Sequence, residues 1–105
     1  MNKKKPGLRK EDREVILNVL KKFAGIEEAM IFGSRAMGNF KHGSDIDLAL
    51  KGKVADIYLR VKSILNQETL LPYNFDVLDY ENISNQKLKA HIDNYGETIY
   101  KKTAL

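Results

Sequence analysis

The chain has no cysteine and only two prolines among its 105 residues. Without cysteine there can be no disulfide framework, no thiolate metal site and no cysteine nucleophile, and a reducing compartment permits such a composition. No stretch approaches the roughly 20 apolar residues that a membrane-spanning helix needs, and the basic N-terminus is followed by no apolar signal-peptide core. We therefore expect a soluble, cytoplasmic protein that is neither exported nor membrane-bound.

The amino-acid composition, with 43% hydrophobic and 30% charged residues, is typical of a folded globular protein. A chain of this length can form one hydrophobic core but not two. We expect a single domain over residues 1–105, with a flexible basic tail at residues 1–9. The net charge of +4 suits an anionic partner such as a nucleotide. Nucleic-acid binding is not favoured, because no aromatic side chains are interleaved with the basic tail.

The spacing of apolar residues predicts alternating helices and strands. Helical spacing is found at residues 10–24, 54–65 and 84–95. Short apolar or alternating runs predict strands at residues 29–32, 45–50 and 74–79. We expect Gly25 to cap the first helix, Gly96 to stop the last, and a tail to follow. The predicted fold class is α/β (α+β), a small mixed sheet of three strands with helices packed against it.

The most informative segment is the pair Gly33-Ser34, followed after ten residues by Asp45 and Asp47. Strand alternation puts the two aspartates on one face, where they repel each other unless a cation or proton lies between them. Carboxylates without histidine or cysteine favour Mg²⁺ over zinc. The alternative is the solvated face of an edge strand. Gly33 and Ser34 favour the metal, because they offer a phosphate a close backbone approach, a hydroxyl and an N–H.

A third carboxylate belongs to the last predicted strand. If that strand neighbours the first two aspartates, Asp76 adds a third ligand and makes room for two ions. Asp79 is the rival for this role. Alternation favours Asp76, because Asp79 shares the face of Phe75 and Val77, which should be the core.

The run GSRAMGNFKHGSDIDLAL resembles the signature of the DNA polymerase β nucleotidyltransferase superfamily, and the whole chain is similar in layout to its minimal members, the MNT type. The resemblance implies a nucleotidyltransferase (polymerase β-like) fold. It also implies that Ser34 contacts the nucleotide triphosphate and that Asp45 and Asp47 hold metal ions. The third acidic residue of the family site falls here on Asp76, as metal ligand, base or both.

The turn that follows the Gly-Ser pair departs from the family pattern at one position. Many minimal members carry a second basic residue there, and this chain has Met37, whose effect on phosphate binding stays open. Arg35 is expected to bind the nucleotide together with Gly33 and Ser34, with a surface ion pair as its alternative. Lys41 with His42 could contact phosphate in the same way.

The resemblance further implies an enzyme that uses two Mg²⁺ ions to move a nucleoside monophosphate, by expectation AMP from ATP, to an acceptor hydroxyl. Minimal nucleotidyltransferases are often encoded beside a HEPN-domain protein as antitoxins, and similar proteins attach AMP to a tyrosine of that toxin. A HEPN-family partner is therefore expected, and a homo-oligomer is possible because so short a chain leaves little surface for the acceptor. The alternatives are a non-catalytic antitoxin that acts by docking and a transferase for small molecules of the antibiotic type.

Overall fold

The structure of the protein is a computed structural model, and it describes residues 8–33 and 45–103. The helices are α1 (Lys10–Leu20), α2 (Tyr58–Gln67) and α3 (Gln86–Tyr95). The strands are β1 (Ile26–Phe32), β2 (Ile46–Gly52), β3 (Phe75–Asp79) and β4 (Glu97–Lys101), and a 3₁₀ turn at Tyr80–Asn82 follows β3. Within these ranges, none of the helices has the length and apolar character that crossing a membrane requires.

The four strands form one mixed sheet in the order β3-β2-β1-β4. β1 runs antiparallel to both of its neighbours, β2 and β4. β2 and β3 are parallel and are joined by the crossover helix α2, as parallel pairing requires. The predicted fold class, a small mixed sheet with helices packed against it, is confirmed.

Strand alternation gives the sheet two different faces. One face packs on α1 and α2 and forms the main core, because apolar side chains of the strands alternate toward it. This core includes Ile16, Leu20, Ile31, Leu48, Leu50, Val61, Leu65, Phe75 and Val77. The other face carries a smaller cluster under α3, formed by Met30, Phe32, Ala49 and Ile92. The carboxylates expected at the site lie at one end of this second face.

The segment expected to be a tail is instead the fourth strand, so the prediction of three strands was wrong. β4 pairs with the edge of β1 that β2 leaves open, and Ile99 points into the main core with 6% of its surface exposed. The sequence ETIYK mixes charged and apolar residues over only five positions. Pairing with a strand about 70 residues earlier, such as that of Thr98 with Met30, is a tertiary effect that local patterns do not reveal.

The first helix is shorter than expected, ending at Leu20 with Lys21 as its C-terminal cap. Gly25 does not adopt the left-handed conformation that the sequence suggested, since among the described residues the glycines with positive φ are Gly33 and Gly52. The position of Gly25 requires glycine for a different reason. A Cβ atom at this position would collide with the backbone carbonyl of Lys53.

Residues 1–7 of the predicted basic tail lie outside the described residues. Leu8 packs against the main core, and the guanidinium of Arg9 lies 3.4 Å from the carboxylate of Asp12. Asp12 is buried and also accepts a hydrogen bond of 2.6 Å from the hydroxyl of Tyr73. The start of α1 is thereby tied to the segment that leads into β3.

Candidate active site

The site is built on a row of three residues that crosses the sheet at one end. Asp47 on β2 lies beside Phe32 on β1 in the antiparallel register and beside Asp76 on β3 in the parallel register. Paired residues on neighbouring strands project to the same face. The structure therefore brings two of the predicted site residues, Asp47 and Asp76, together on adjacent strands, with an aromatic residue on the third.

Asp45 lies just before β2 and is exposed, whereas Asp47 is half-buried. Partial burial raises the pKa of Asp47 above its ordinary value, and the negative charges of Asp76 and Asp45 raise it further. Both causes act in the same direction because each disfavours the ionised carboxylate. Three carboxylates thus share one electrostatic environment, which a cation or a proton would relieve.

Asp76 has a positively charged neighbour. The Nζ atom of Lys62, on α2, lies 3.4 Å from the Oδ1 atom of Asp76, and both side chains are roughly half exposed. Over the described ranges, no group of three or more histidine, cysteine, aspartate or glutamate side chains is arranged so that it could hold a metal ion. As they stand, the carboxylates line one end of the sheet without forming a closed cation cage.

Gly33 follows β1 and completes the described part of the site. Its backbone φ is +77°, a conformation that glycine adopts without steric cost. A Cβ atom built on Gly33 would lie 2.5 Å from the Oδ2 atom of Asp47. The absence of a side chain therefore keeps the space in front of the Asp47 carboxylate open.

β3, which carries Asp76, is an edge strand held by a side chain of α2. The Nδ2 atom of Asn66 donates to the carbonyl of Phe75 at 3.0 Å, and its Oδ1 atom accepts from the N–H of Phe75 at 2.7 Å. The amide of Asn66 thus replaces the neighbouring strand that β3 lacks on this side. It fixes the residue directly before Asp76.

Asp79, the rival for the third carboxylate, faces the opposite side of the sheet. It is 7% exposed and shares the buried face of β3 with Phe75 and Val77. Its carboxylate accepts from the backbone N–H of Glu81 at 3.2 Å and from the side-chain amide of Asn82, so it caps the 3₁₀ turn. Its role in the described structure is that of a capping residue.

Ser34 and Arg35, which the sequence predicts to bind the nucleotide, lie outside the described residues, as do Met37, Lys41 and His42. Their placement in the site stays a prediction. Sequence reasoning missed Lys62 and Asn66. The only available signal was their spacing of four residues on α2, which does not distinguish them from other polar residues of that helix.

The sequence patterns also did not predict a series of aromatic contacts formed by Phe32, His91 and Tyr95. The ring of His91, on α3, meets the ring of Phe32 edge-on at 6.4 Å between centroids. The ring of Tyr95, one helical turn later, lies 5.4 Å from that of His91. The sequence suggested only that His91 would be structural or exposed, because contacts between residues this far apart in the chain leave no local pattern.

A groove among the described residues lies at the opposite end of the sheet from the carboxylates and has a volume of about 640 Å³. It is lined by Glu27, Glu28, Lys51, Glu81, Lys101, Lys102 and Thr103. Lysines and glutamates balance in this groove, so it offers a phosphate no strong preference.

Comparison with known proteins agrees with this geometry. The model of the family described as polymerase beta, nucleotidyltransferase matches residues 14–104, which include Gly33, all three carboxylates and most of the chain. No curated protein sequence is significantly similar to the chain.

Several solved structures share the fold at low sequence identity. A chain of a toxin–antitoxin crystallised with AMP-PNP is 19% identical, with a TM-score of 0.71 over 87% of this chain and 74% of its own. A chain of the toxin–antitoxin MntA-HepT is 16% identical, with a TM-score of 0.68 over 90% and 74% of the two chains. The same values are found for a chain of the complex between the tri-AMPylated HEPN toxin of Shewanella oneidensis and an MNT antitoxin. At these identities the likeness establishes a shared fold.

Proposed function

Because this chain belongs to the polymerase β nucleotidyltransferase family, we propose that it is a Mg²⁺-dependent enzyme that transfers AMP from ATP to an acceptor hydroxyl. It acts as a single domain over residues 1–105. The observation that carries the proposal is the register of Asp47 with Asp76 on adjacent strands, with Asp45 close enough to raise the pKa of Asp47.

The donor set fits Mg²⁺, which prefers hard oxygen ligands and keeps exchangeable positions for phosphate oxygens. Asp45, Asp47 and Asp76 offer carboxylate oxygens alone, and the pKa of Asp47 is raised first by its burial and then by the charges of Asp76 and Asp45. Asp76 becomes available as a ligand when its carboxylate turns away from Lys62, because an exposed ion pair is worth at most about 1 kcal/mol. Two bound Mg²⁺ ions would supply charge neutralisation at the attacking and departing oxygens.

In the proposed reaction, an in-line displacement at the α-phosphorus, each residue of the site has its own role. Gly33 leaves space for the triphosphate in front of Asp47, and Ser34 and Arg35 hold its β and γ phosphates. Asp76 accepts the proton of the acceptor hydroxyl. The acceptor oxygen forms a bond to the α-phosphorus, the bond from that phosphorus to the β-phosphate oxygen breaks, and pyrophosphate leaves.

The acceptor is a tyrosine hydroxyl of a HEPN-family toxin, and AMP transfer neutralises that toxin. Support comes from structures with the same fold, one with AMP-PNP and one with a tri-AMPylated HEPN toxin.

The proposal is tested by incubating the protein with Mg²⁺, α-labelled ATP and a HEPN-family protein encoded beside it. Mass spectrometry and label transfer are compared for wild type, Asp47→Asn and Asp56→Asn. Asp56 is an exposed aspartate remote from the carboxylate row and serves as the matched control. We expect AMP on the partner with wild type and Asp56→Asn, and none with Asp47→Asn or without Mg²⁺.

Other outcomes separate the alternatives. Neutralisation of the partner by both Asp45→Asn and Asp47→Asn, with the complex intact, would mean that docking alone suffices. Transfer of AMP to an antibiotic-type hydroxyl compound but not to the partner would make the protein a small-molecule enzyme.

A further inference from the structure

Tyr95 lies at the same end of the sheet as the carboxylates. It is the last residue of α3, and Gly96 connects it to Glu97, the first residue of β4. Glu97 pairs with Ile31, which immediately precedes Phe32. The chain therefore places Tyr95 next to the end of β1, one strand away from Asp47.

Tyr95 and His91 are connected to the carboxylate row through the buried ring of Phe32. Phe32 lies beside Asp47 in the sheet register, and its ring meets His91 edge-on. The ring of Tyr95 lies tilted at 45° against that of His91. We call the two rings of His91 and Tyr95 the aromatic ledge. α3 packs on the same face of the sheet to which Asp47 and Asp76 project, through Ile92 and Leu88.

The exposure of Tyr95 sets it apart from the other tyrosines. Its exposed fraction is 54%, whereas Tyr58, Tyr73, Tyr80 and Tyr100 are half-buried. Two of those donate their hydroxyls to carboxylates, Tyr73 to Asp12 and Tyr80 to Asp93. Tyr95 touches His91 on one side and leaves much of its ring to solvent, so a flat ligand can cover it.

We propose that the aromatic ledge binds the base of the nucleotide substrate by stacking. This inference rests on the proposed function, since it assigns the part of the nucleotide that the carboxylates do not hold. The π-faces of aromatic side chains accept a nucleobase regardless of its edge groups. The same faces carry partial negative charge and so disfavour phosphate, which leaves the triphosphate to the carboxylate end.

The geometry favours the nucleotide over a protein partner as the occupant. A ligand whose phosphates lie before Asp47 can extend its base toward the ledge, because α3 packs on the face of the sheet to which Asp47 projects and His91 covers the buried ring of Phe32. In this arrangement the carboxylate end of the sheet binds the phosphates of the nucleotide, and the ledge binds its base.

The test compares two ligands that share phosphates but differ in the base. Isothermal titration calorimetry in Mg²⁺ measures the binding of ATP and of inorganic tripolyphosphate to wild type, Tyr95→Ala, Tyr95→Phe and Leu59→Ala. Leu59 is a matched control, because it is 61% exposed on α2, which packs on the other face of the sheet. Tyr95→Ala removes an exposed ring and is expected to leave the fold intact.

We expect Tyr95→Ala to weaken ATP binding about tenfold, as loss of one stacked base does, and to leave tripolyphosphate binding unchanged. Tyr95→Phe and Leu59→Ala should bind both ligands as wild type does. Nuclear magnetic resonance gives an independent readout. Ring protons of Tyr95 should shift upfield with ATP and stay in place with tripolyphosphate.

Four results would overturn the inference. Equal weakening of both ligands by Tyr95→Ala would mean an indirect effect on the phosphate site. Unchanged ATP affinity combined with lost binding of the HEPN partner would make the ledge a protein-docking surface. If wild type binds ATP and Tyr95→Ala binds it equally well, only the ledge assignment fails, whereas a wild type that binds no ATP removes the proposed function as well.

Discussion

Gly33 stands so close to Asp47 that a methyl group on its α-carbon would lie 2.5 Å from the Oδ2 atom of the aspartate. The backbone φ of Gly33 is +77°, which side chains of L-residues rarely tolerate. Gly33, which directly follows β1, is therefore constrained twice, once by its own backbone conformation and once by the carboxylate of Asp47 on the neighbouring strand.

Gly33→Ala should destabilise the fold by about 1–2 kcal/mol from its backbone conformation and also displace the Asp47 carboxylate. Urea unfolding measures the first effect, and AMP transfer per folded molecule measures the second. The control is Gly52→Ala, since Gly52 also has positive φ, at +115°, and lies at the far end of β2. Gly52→Ala should lose stability and keep its transfer activity per folded molecule. Equal activity of the two variants would contradict a role for Gly33 in the site.

Asp47→Asn should raise the melting temperature at neutral pH while abolishing transfer. The folded-state pKa of Asp47 is raised above the ordinary value of 3.8, chiefly by burial. Because the folded state binds this proton more tightly than the unfolded state, protonation of Asp47 stabilises the fold. This stabilisation is fully present below pH 3.8 and is lost as pH rises through the folded-state pKa. At pH 7, well above the ordinary value, the burial of Asp47 therefore opposes folding, and asparagine removes that cost.

The measurement is a thermal melt of wild type, Asp47→Asn and the control Asp56→Asn in the absence of Mg²⁺. The stabilisation by Asp47→Asn should be present at pH 7 and shrink toward zero as pH falls below 3.8. A variant that melts lower than wild type at pH 7 would show that the carboxylate is compensated by contacts that asparagine cannot make.

Local patterns sufficed for the elements that carry the carboxylates. The alternation from Asp45 to Leu50 correctly placed Ile46 and Leu48 in the core, and the same reasoning put Asp76 and Asp79 on opposite faces of β3. These assignments succeed because strand alternation is a property of neighbouring residues, and burial of one face reinforces it.

Features that depend on distant pairing were not accessible in this way. β4 forms by pairing with the edge of β1 that β2 leaves open. The side-chain amide of Asn66 can bond the backbone of Phe75, an arrangement we call the Asn66 clamp, because β3 lies at the outside of the sheet. The contact between Phe32 and His91 likewise requires α3 to fold back over the sheet. None of these contacts changes the local spacing of apolar residues, so the sequence alone does not distinguish them from surface positions.

The two aspartates of β3 should respond to substitution in opposite ways. Asp79→Ala removes the cap of the 3₁₀ turn from a buried position and should cost about 1–2 kcal/mol of stability. Its transfer activity should persist at temperatures where it is folded. Asp76→Asn removes a half-exposed carboxylate and should change stability by less than about 1 kcal/mol.

The same pair of variants decides the identity of the third carboxylate. Asp76→Asn should lower transfer at least about 100-fold, as loss of a general base does. Chemical denaturation and steady-state transfer on both variants supply the comparison. A folded Asp79→Ala that is inactive beside an active Asp76→Asn would reverse the assignment and make Asp79 the functional residue.

Asn66→Ala should destabilise β3 and the position of Asp76 together. The change removes both hydrogen bonds to the backbone of Phe75, and a polar group left without a partner costs about 1–3 kcal/mol. Because Phe75 is fully buried and directly precedes Asp76, loosening its backbone should lower transfer activity as well. Asn66→Asp is the graded control, since its carboxylate still accepts from the Phe75 N–H but cannot donate to the carbonyl.

Urea unfolding and amide hydrogen exchange at Phe75 measure the effect. We expect faster exchange at Phe75 in Asn66→Ala than in Asn66→Asp, and slowest exchange in wild type, because the clamp protects that N–H directly. Transfer activity should follow the same order if the clamp positions Asp76. Faster exchange at Phe75 with full transfer activity would show that the edge strand can loosen without moving the carboxylate. In that case β2, through its parallel pairing with β3, would hold Asp76 in place without help from α2.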